Sequence, residues 1–106
     1  MIAIVNSLPV EEGAADRIVE RFAESRGHVQ GFPGFVSMEV LKSEAEDEVL
    51  VVTRWQDKDC FDAWVGSEEC SRAHGRGGAG GLLRGHPKMR SYEVAVERGP
   101  EVREAG

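Results

Sequence analysis

The sequence has 106 residues, a formal net charge of -6 and two cysteines. A chain this short forms one domain that buries only about two-thirds or less of its unfolded surface, so a large cavity within one subunit is not expected. The negative charge and the lack of a dense Lys/Arg cluster argue against binding of nucleic acid or of anionic membrane surfaces. We see no basic leader and no apolar run long enough to span a bilayer, and therefore expect a cytoplasmic protein.

The first half of the chain predicts a strand, a helix and a second strand. Residues 1–8 alternate as a strand that ends at Pro9, and one face of it carries Ile2, Ile4, Asn6 and Leu8. Residues 13–26 repeat apolar side chains at helical spacing, which predicts a surface helix that stops at Gly27. Residues 31–34 form a turn rich in glycine and proline, and an alternating strand follows over residues 35–42.

The second half predicts a strand, two short helices and a last strand. Residues 49–55 are rich in β-branched side chains and are expected to pair with the preceding strand as an antiparallel hairpin. Asp57 is predicted to cap a helix that carries inward Phe61, Trp64 and Val65. Gly66 and Ser67 end that helix and cap another, which carries Cys70, Ala73 and His74. The last strand alternates through Tyr92, Val94 and Val96.

This order of elements predicts an α+β fold, a ferredoxin-like sandwich of the form βαββααβ, with helices on one face of an antiparallel sheet. The domain covers residues 1–97, and residues 98–106 form a charged tail that we expect to be frayed. More apolar side chains are available than one helix layer needs; those expected on the second face are Val36, Met38, Val40, Val49, Val51, Tyr92 and Val94. We therefore expect a homodimer that joins through this face and closes a dimeric α+β barrel.

Asn6, Trp64 and His74 depart from the local pattern. Asn6 interrupts an apolar strand face, and Trp64 and His74 lie ten residues apart on the two short helices. Each has an ordinary structural explanation when taken alone. An asparagine can satisfy a strand end or bulge, a tryptophan usually packs in the core, and a histidine on an apolar helix face is usually a core or rim residue. His28 and His86 are interpreted as surface residues.

A glycine-rich run over residues 75–81 follows His74 and formally fits a dinucleotide-binding fingerprint. That fingerprint needs a preceding strand and a following helix, whereas here a helix precedes and a loop follows. The run is interpreted as a linker, or as a loop that orders when a ligand binds. Cys60 and Cys70 are interpreted as small buried hydrophobes rather than as a redox pair.

Several of these segments resemble a known family. They are the Gly-Phe-Pro-Gly-Phe turn, the stretch from Val52 to Trp55 before Asp57, and Phe61-x-x-Trp64 followed by Ala73-His74. Together they resemble the antibiotic biosynthesis monooxygenase superfamily of dimeric α+β barrels, and within it the IsdG-type haem-degrading monooxygenases. The resemblance covers about residues 1–97. The turn and the strand are shared across the superfamily and indicate the fold, whereas Asn6, Trp64 and His74 match the triad of the haem-degrading branch.

The resemblance implies that haem is both substrate and cofactor, and that the porphyrin ring is opened with O2 to give a linear tetrapyrrole and free iron. It implies that His74 is the proximal iron ligand, that Asn6 donates a hydrogen bond on the distal side and that Trp64 forces the macrocycle out of plane. The sequence contains no flavin or nicotinamide site, so an external electron donor, an unidentified reductase or a chemical reductant, is expected.

Further contacts to haem are expected from the helices. An apolar slot would suit the porphyrin, and its walls are expected to come from Phe22, Phe61, Val65 and either Leu82 or Leu83. Arginine pairs well with carboxylates, so the candidate partners of the haem propionates are Arg26, Arg72 and Arg76.

Two alternatives remain open at this point. The first is a cofactor-independent monooxygenase of the same superfamily, which acts on a polyphenol or quinol and needs no axial histidine. The second is a non-enzymatic haem-binding dimer, which binds haem and leaves it intact when reductant and air are supplied.

Overall fold

The computed structural model describes residues 1–24, 29–70 and 81–101. Its four strands are β1 (Ile2–Pro9), β2 (Phe35–Lys42), β3 (Glu48–Trp55) and β4 (Lys88–Glu93). The helices are α1 (Ala15–Glu24), a short 3-10 helix (Val29–Gly31) and α2 (Lys58–Val65), and residues 68–70 begin another helical turn. No helix in these three ranges is both long and apolar enough to span a bilayer.

The strands form one antiparallel sheet in the order β2-β3-β1-β4. β1 therefore lies inside the sheet, hydrogen-bonded to β3 on one side and to β4 on the other. The helices pack on a single face, where α1 contacts β2 and β3 and α2 contacts β3. The predicted ferredoxin-like α+β fold is thus confirmed.

Side chains on the helix side of the sheet form two separate cores. The aromatic core contains Ile4, Val29, Trp55, Phe61, Trp64 and Cys70. The aliphatic core contains Leu8, Val10, Ala14, Ile18 and Val49. Trp55, Ile18, Val10 and Val49 are fully buried. β1 contributes Ile4 to the first core and Leu8 to the second, so the two cores are seated at different levels of the same strand.

Both predicted caps around α2 are present. The Asp57 carboxylate accepts a hydrogen bond from the Cys60 backbone N–H at 2.9 Å, which satisfies a free donor of the first helical turn and lowers the pKa of Asp57. The Ser67 hydroxyl donates to the Trp64 carbonyl at 2.6 Å and accepts from the Cys70 N–H at 3.1 Å. One hydroxyl therefore serves the end of α2 and the start of the following helical turn.

β1 ends at Pro9 as predicted, and Pro9 itself still pairs with Glu48, while its carbonyl accepts from the Arg84 N–H at 3.0 Å. Two predicted details of the elements are wrong. The last strand begins earlier and ends at Glu93, so Val94 and Val96 lie outside it. Val65 does not point inward: it is the last residue of α2, beyond the aromatic core, and is 52% exposed.

The prediction of which apolar residues face away from the helices is also largely wrong. Residues paired across an antiparallel ladder point to the same side, and the register places Met38, Val40, Val49 and Val51 on the helix side. Alternation separates two faces of a strand but does not say which one is covered. A register shift between Phe35 and Ser37 also takes Val36 out of the regular alternation of side chains along β2. The open face, as we call the uncovered side, takes its apolar character from Val5, Leu41, Leu50, Val52 and Tyr92.

Candidate functional site

Asn6 is the polar residue on the helix side of β1. Its neighbours on that side are Ile4, which belongs to the aromatic core, and Leu8, which belongs to the aliphatic core. Asn6 Oδ1 is buried and has no hydrogen-bond partner among the described residues. An unsatisfied buried polar atom costs about 1–3 kcal/mol, and in native proteins it usually has a reason such as a ligand. Rotation of the Asn6 amide group by 180° about its Cβ–Cγ bond exchanges the two atoms and places the donor, Nδ2, at the position of Oδ1.

Trp64 is a member of the aromatic core. It is 8% exposed, with its ring centroid 5.3 Å from that of Phe32 and the two planes at 71°. Trp55 lies behind it, at a centroid distance of 6.3 Å. The ordinary interpretation of Trp64 as a packing residue is therefore satisfied, and a small part of its surface stays accessible.

The structure divides the predicted slot residues between the two cores. Phe61 lies in the aromatic core, whereas Phe22, Leu82 and Leu83 are half-buried against the aliphatic core. The Leu82 carbonyl accepts from the Glu11 N–H at 2.8 Å, which ties this segment to the end of β1. The aromatic core and the aliphatic core therefore place apolar side chains on the two sides of Asn6 along β1. Val65 is exposed and belongs to neither core.

The described part of the helix layer leaves β4 uncovered, and all six residues of β4 are exposed. The ladder between β1 and β4 pairs Asn6 with Met89 and Ile4 with Ser91. Met89 and Ser91 therefore lie on the helix side of the sheet, next to the Asn6 level, and we call them the β4 shelf. Sequence reasoning did not single out Met89, because the register between two strands more than eighty residues apart along the chain cannot be read from alternation.

The remaining predicted site residues fall outside the described ranges. They are His74, Arg26, Arg72 and Arg76, together with His28 and residues 75–80 of the glycine-rich run. The described residues hold no group of three or more His, Cys, Asp or Glu side chains able to bind a metal ion. His86 is exposed.

The two cysteines agree with their interpretation as hydrophobes. Cys70 is buried, and this burial raises its pKa. Cys60 is half-buried, and its hydrogen bond with Asp57 raises its pKa. Neither thiol is thereby made more reactive, because the thiolate is the nucleophilic form.

A concave region lies between the start of α1 and the turn that follows β2. It has a volume of about 620 Å³ and is lined by Gly13, Ala15, Asp16 and residues 42–47. Its lining is mainly polar and acidic, unlike the apolar walls beside Asn6. A porphyrin would find little apolar surface there, so we place the candidate site at Asn6.

Comparison with known proteins agrees with this architecture. The model of the family described as antibiotic biosynthesis monooxygenase matches residues 1–76. The chain belongs to this family. The resemblance inferred from the Gly-Phe turn, Trp64 and their neighbours is therefore confirmed at the level of the family.

Relatives within the family carry more specific names. A heme-degrading monooxygenase of Halalkalibacterium halodurans is 36% identical over 103 residues, covering 94% of this chain and 87% of the relative. A variant of MhuD, solved with two manganese protoporphyrin IX molecules per active site, superposes with a TM-score of 0.81 at 28% identity, over 94% of this chain and 100% of that one. The heme degrader MhuD of Mycobacterium tuberculosis, solved with two hemes in its active site, has a TM-score of 0.79 at 27% identity, over 93% and 100% of the two chains.

Proposed function

We propose that this member of the family is a haem-degrading monooxygenase, which opens the porphyrin with O2 and external electrons to release a linear tetrapyrrole and iron. The observation that carries the proposal is the Asn6 amide, whose buried oxygen has no partner among the described residues and which lies on β1 between Ile4 of the aromatic core and Leu8 of the aliphatic core. The relatives named for haem degradation support the same activity.

The residues around Asn6 suit a porphyrin. A porphyrin is flat and largely apolar, and binding sites for such molecules combine apolar walls with few polar anchors. Here Phe22 supplies a wall from α1, and Phe61 and Trp64 supply one from α2. Bound haem would supply the iron at which O2 is reduced and activated.

The chain's own residues take separate roles in this proposal. Asn6 would donate its amide N–H to the reacting oxygen and orient it toward the ring. Trp64, held by the aromatic core, presses on the macrocycle with its accessible surface. His74 binds the iron through a neutral imidazole, which is a common way for proteins to hold haem. Arg26 and Arg76 pair with the propionates.

We also propose that the protein acts as a homodimer joined through the open face. Leu41 and Tyr92 are 43% and 48% exposed on that face, and a partner would remove this apolar surface from water. Arg54 also lies there, and its Nε is buried without an acceptor among the described residues.

An external reductase or a small reductant supplies the electrons. Cys60 and Cys70 are thiols that form no disulfide, which is compatible with a reducing compartment such as the cytoplasm.

The test is titration of the purified protein with haemin, followed by ascorbate in air. We expect a Soret band on binding, then its loss together with release of iron. His74→Ala is expected to abolish the band, whereas His86→Ala, a change at an exposed histidine, is the matched control and should leave it intact. Failure to form a Soret band would favour a cofactor-independent monooxygenase. A band that survives ascorbate and air would favour a haem-binding protein without enzymatic activity.

A further inference from the structure

Met89 lies directly across the β1–β4 ladder from Asn6. Paired residues of an antiparallel ladder place their side chains on the same face, with Cβ atoms about 4.5–5.5 Å apart. Met89 and Asn6 are therefore neighbours on the helix side of the sheet. The side chain of Met89 therefore leaves the backbone beside that of Asn6, whose amide oxygen has no partner among the described residues.

The two cross-strand neighbours of Asn6 differ in how far they are covered. Val51, on β3, is half-buried and packs against the aliphatic core. Met89, on β4, is 60% exposed. Among the described residues, the covered neighbour of Asn6 therefore lies on the β3 side and the exposed neighbour on the β4 side. A flat ligand that reaches the Asn6 amide from the β4 side must pass over or lie against Met89.

The chemistry of methionine suits such a contact. Its side chain is unbranched and polarizable, it adapts to irregular surfaces, and its sulfur packs favourably against aromatic rings. An exposed methionine near the start of a strand leaves apolar area in water, and a porphyrin lying on the β4 shelf would cover it. Ser91, the other shelf residue, offers only a small hydroxyl, so Met89 is the bulky contact on this side.

We propose that Met89 is a substrate-contacting residue that packs against the porphyrin beside Asn6 and limits how the ring rotates in the site. This inference rests on the proposed function, because it takes haem as the ligand of the Asn6 region. Its consequence for the reaction is regiochemical. The orientation of the ring selects the carbon bridge that lies next to Asn6, so a smaller residue at position 89 allows more than one orientation.

The experiment measures haemin binding without reductant, so that no turnover occurs, by quenching of tryptophan fluorescence. Met89→Ala is expected to weaken binding roughly two- to tenfold, the range that loss of a sulfur–aromatic contact implies. Met89→Leu preserves volume and should bind close to wild type. Met38→Ala is the matched control, since Met38 is 37% exposed on the same side of the sheet but lies on β2, at the far edge.

A second measurement separates a contact role from a general loss of affinity. With saturating haemin and reductant, the ring-opened isomers are resolved by chromatography, and Met89→Ala should change their ratio while Met38→Ala does not. Thermal unfolding of each variant without haemin checks that the fold is retained. Wild-type binding with an unchanged affinity and isomer ratio in Met89→Ala overturns this inference alone. A wild-type protein that does not bind haemin overturns the proposed function and this inference together.

Discussion

The indole rings of Trp55 and Trp64 lie with their centroids 6.3 Å apart and their planes inclined by 31°. Trp55 is fully buried and is itself surrounded by Phe32, Phe35 and Phe61 in edge-on contacts. The ring of Trp64 is therefore supported from behind by a rigid aromatic group. Such support would hold the ring firmly against a ligand that contacts its accessible side.

Trp64 should matter for the stability of the protein even when no ligand is present. Trp64→Ala leaves a cavity in the aromatic core and is expected to lower the free energy of unfolding by about 3–5 kcal/mol. Urea unfolding measures this change. Val65→Ala, one residue further along α2 at a side chain 52% exposed, is the control and should change it by roughly 0.5 kcal/mol or less. Equal losses in the two variants would contradict the packing described for Trp64.

Asn6 is expected to trade stability for activity. Asn6→Leu removes a buried polar atom that has no partner among the described residues, and should raise the free energy of unfolding by about 1 kcal/mol. The same change removes the proposed hydrogen bond to the reacting oxygen and should slow ring opening about tenfold to a hundredfold. Asn6→Ala should keep haemin binding and should also degrade haemin more slowly than the wild type. If the unfolding free energy and the single-turnover rate of Asn6→Leu both rise or both fall, the result argues against this role.

Substitution of Gly34, Gly13 and Gly31 distinguishes backbone strain at a positive φ from overlap of an added Cβ with a neighbouring side chain. Its φ is +84°, and an added Cβ would overlap Cys60 Sγ, so Gly34→Ala is expected to cost about 2 kcal/mol or more. Gly13→Ala meets the same backbone strain, at a φ of +75°, but has open space around it. Gly31→Ala meets neither, since it has no positive φ and no atom within 4 Å. Thermal unfolding should rank the losses in that order, and a Gly34 variant no worse than Gly13→Ala would exclude the overlap with Cys60.

Charges on the open face predict how two copies meet. On that face Glu39 lies at the β2 edge and Arg90 at the β4 edge, level with Val52 and Val5 between them. A two-fold axis along the strands brings Glu39 over Arg90 of the second copy, whereas an axis across the strands stacks like charges. Glu39→Arg should therefore shift light scattering toward monomers, and adding Arg90→Glu should restore the dimer. A double variant as monomeric as the single one would exclude this arrangement.

Asp57 should contribute to the pH dependence of stability. Its pKa is lowered because the carboxylate accepts the Cys60 N–H, so its contribution is fully present above the ordinary carboxyl pKa of about 3.9. That contribution is lost as the pH falls through the lowered pKa of the folded state. Asp57→Asn keeps a capping side chain without a titrating group. Its unfolding free energy should fall less steeply below pH 4 than that of the wild type, and identical slopes would contradict the assignment.

Local signals in the sequence were sufficient for β1 through α2. The β-branched run before Trp55 and the caps at Asp57 and Ser67 act within a few residues, so their consequences can be read without knowing the fold. The limits of β4 were not predicted, because its exposed residues lack the alternation that burial imposes. Which apolar face the helices cover depends on the register and on the bulge beside Val36, and these are properties of the assembled sheet.

The same distinction applies to the candidate site. Asn6 stood out because it breaks an apolar strand face, and the structure places it on the helix side with Ile4 and Leu8. Met89 did not stand out, because its importance comes only from pairing with Asn6. His74 was predicted from its family resemblance and its spacing from Trp64, and this prediction remains to be tested by the haemin titration.

The hydroxyl of Ser67 has a mechanical consequence. By donating to the Trp64 carbonyl and accepting from the Cys70 N–H, it fastens the last turn of α2 to the turn from which the chain continues toward His74. A tilt of α2 would carry that turn along with it. The groups proposed to contact a porphyrin are therefore anchored differently: Asn6 belongs to the sheet, whereas Trp64 and the turn that leads toward His74 are linked to each other through Ser67.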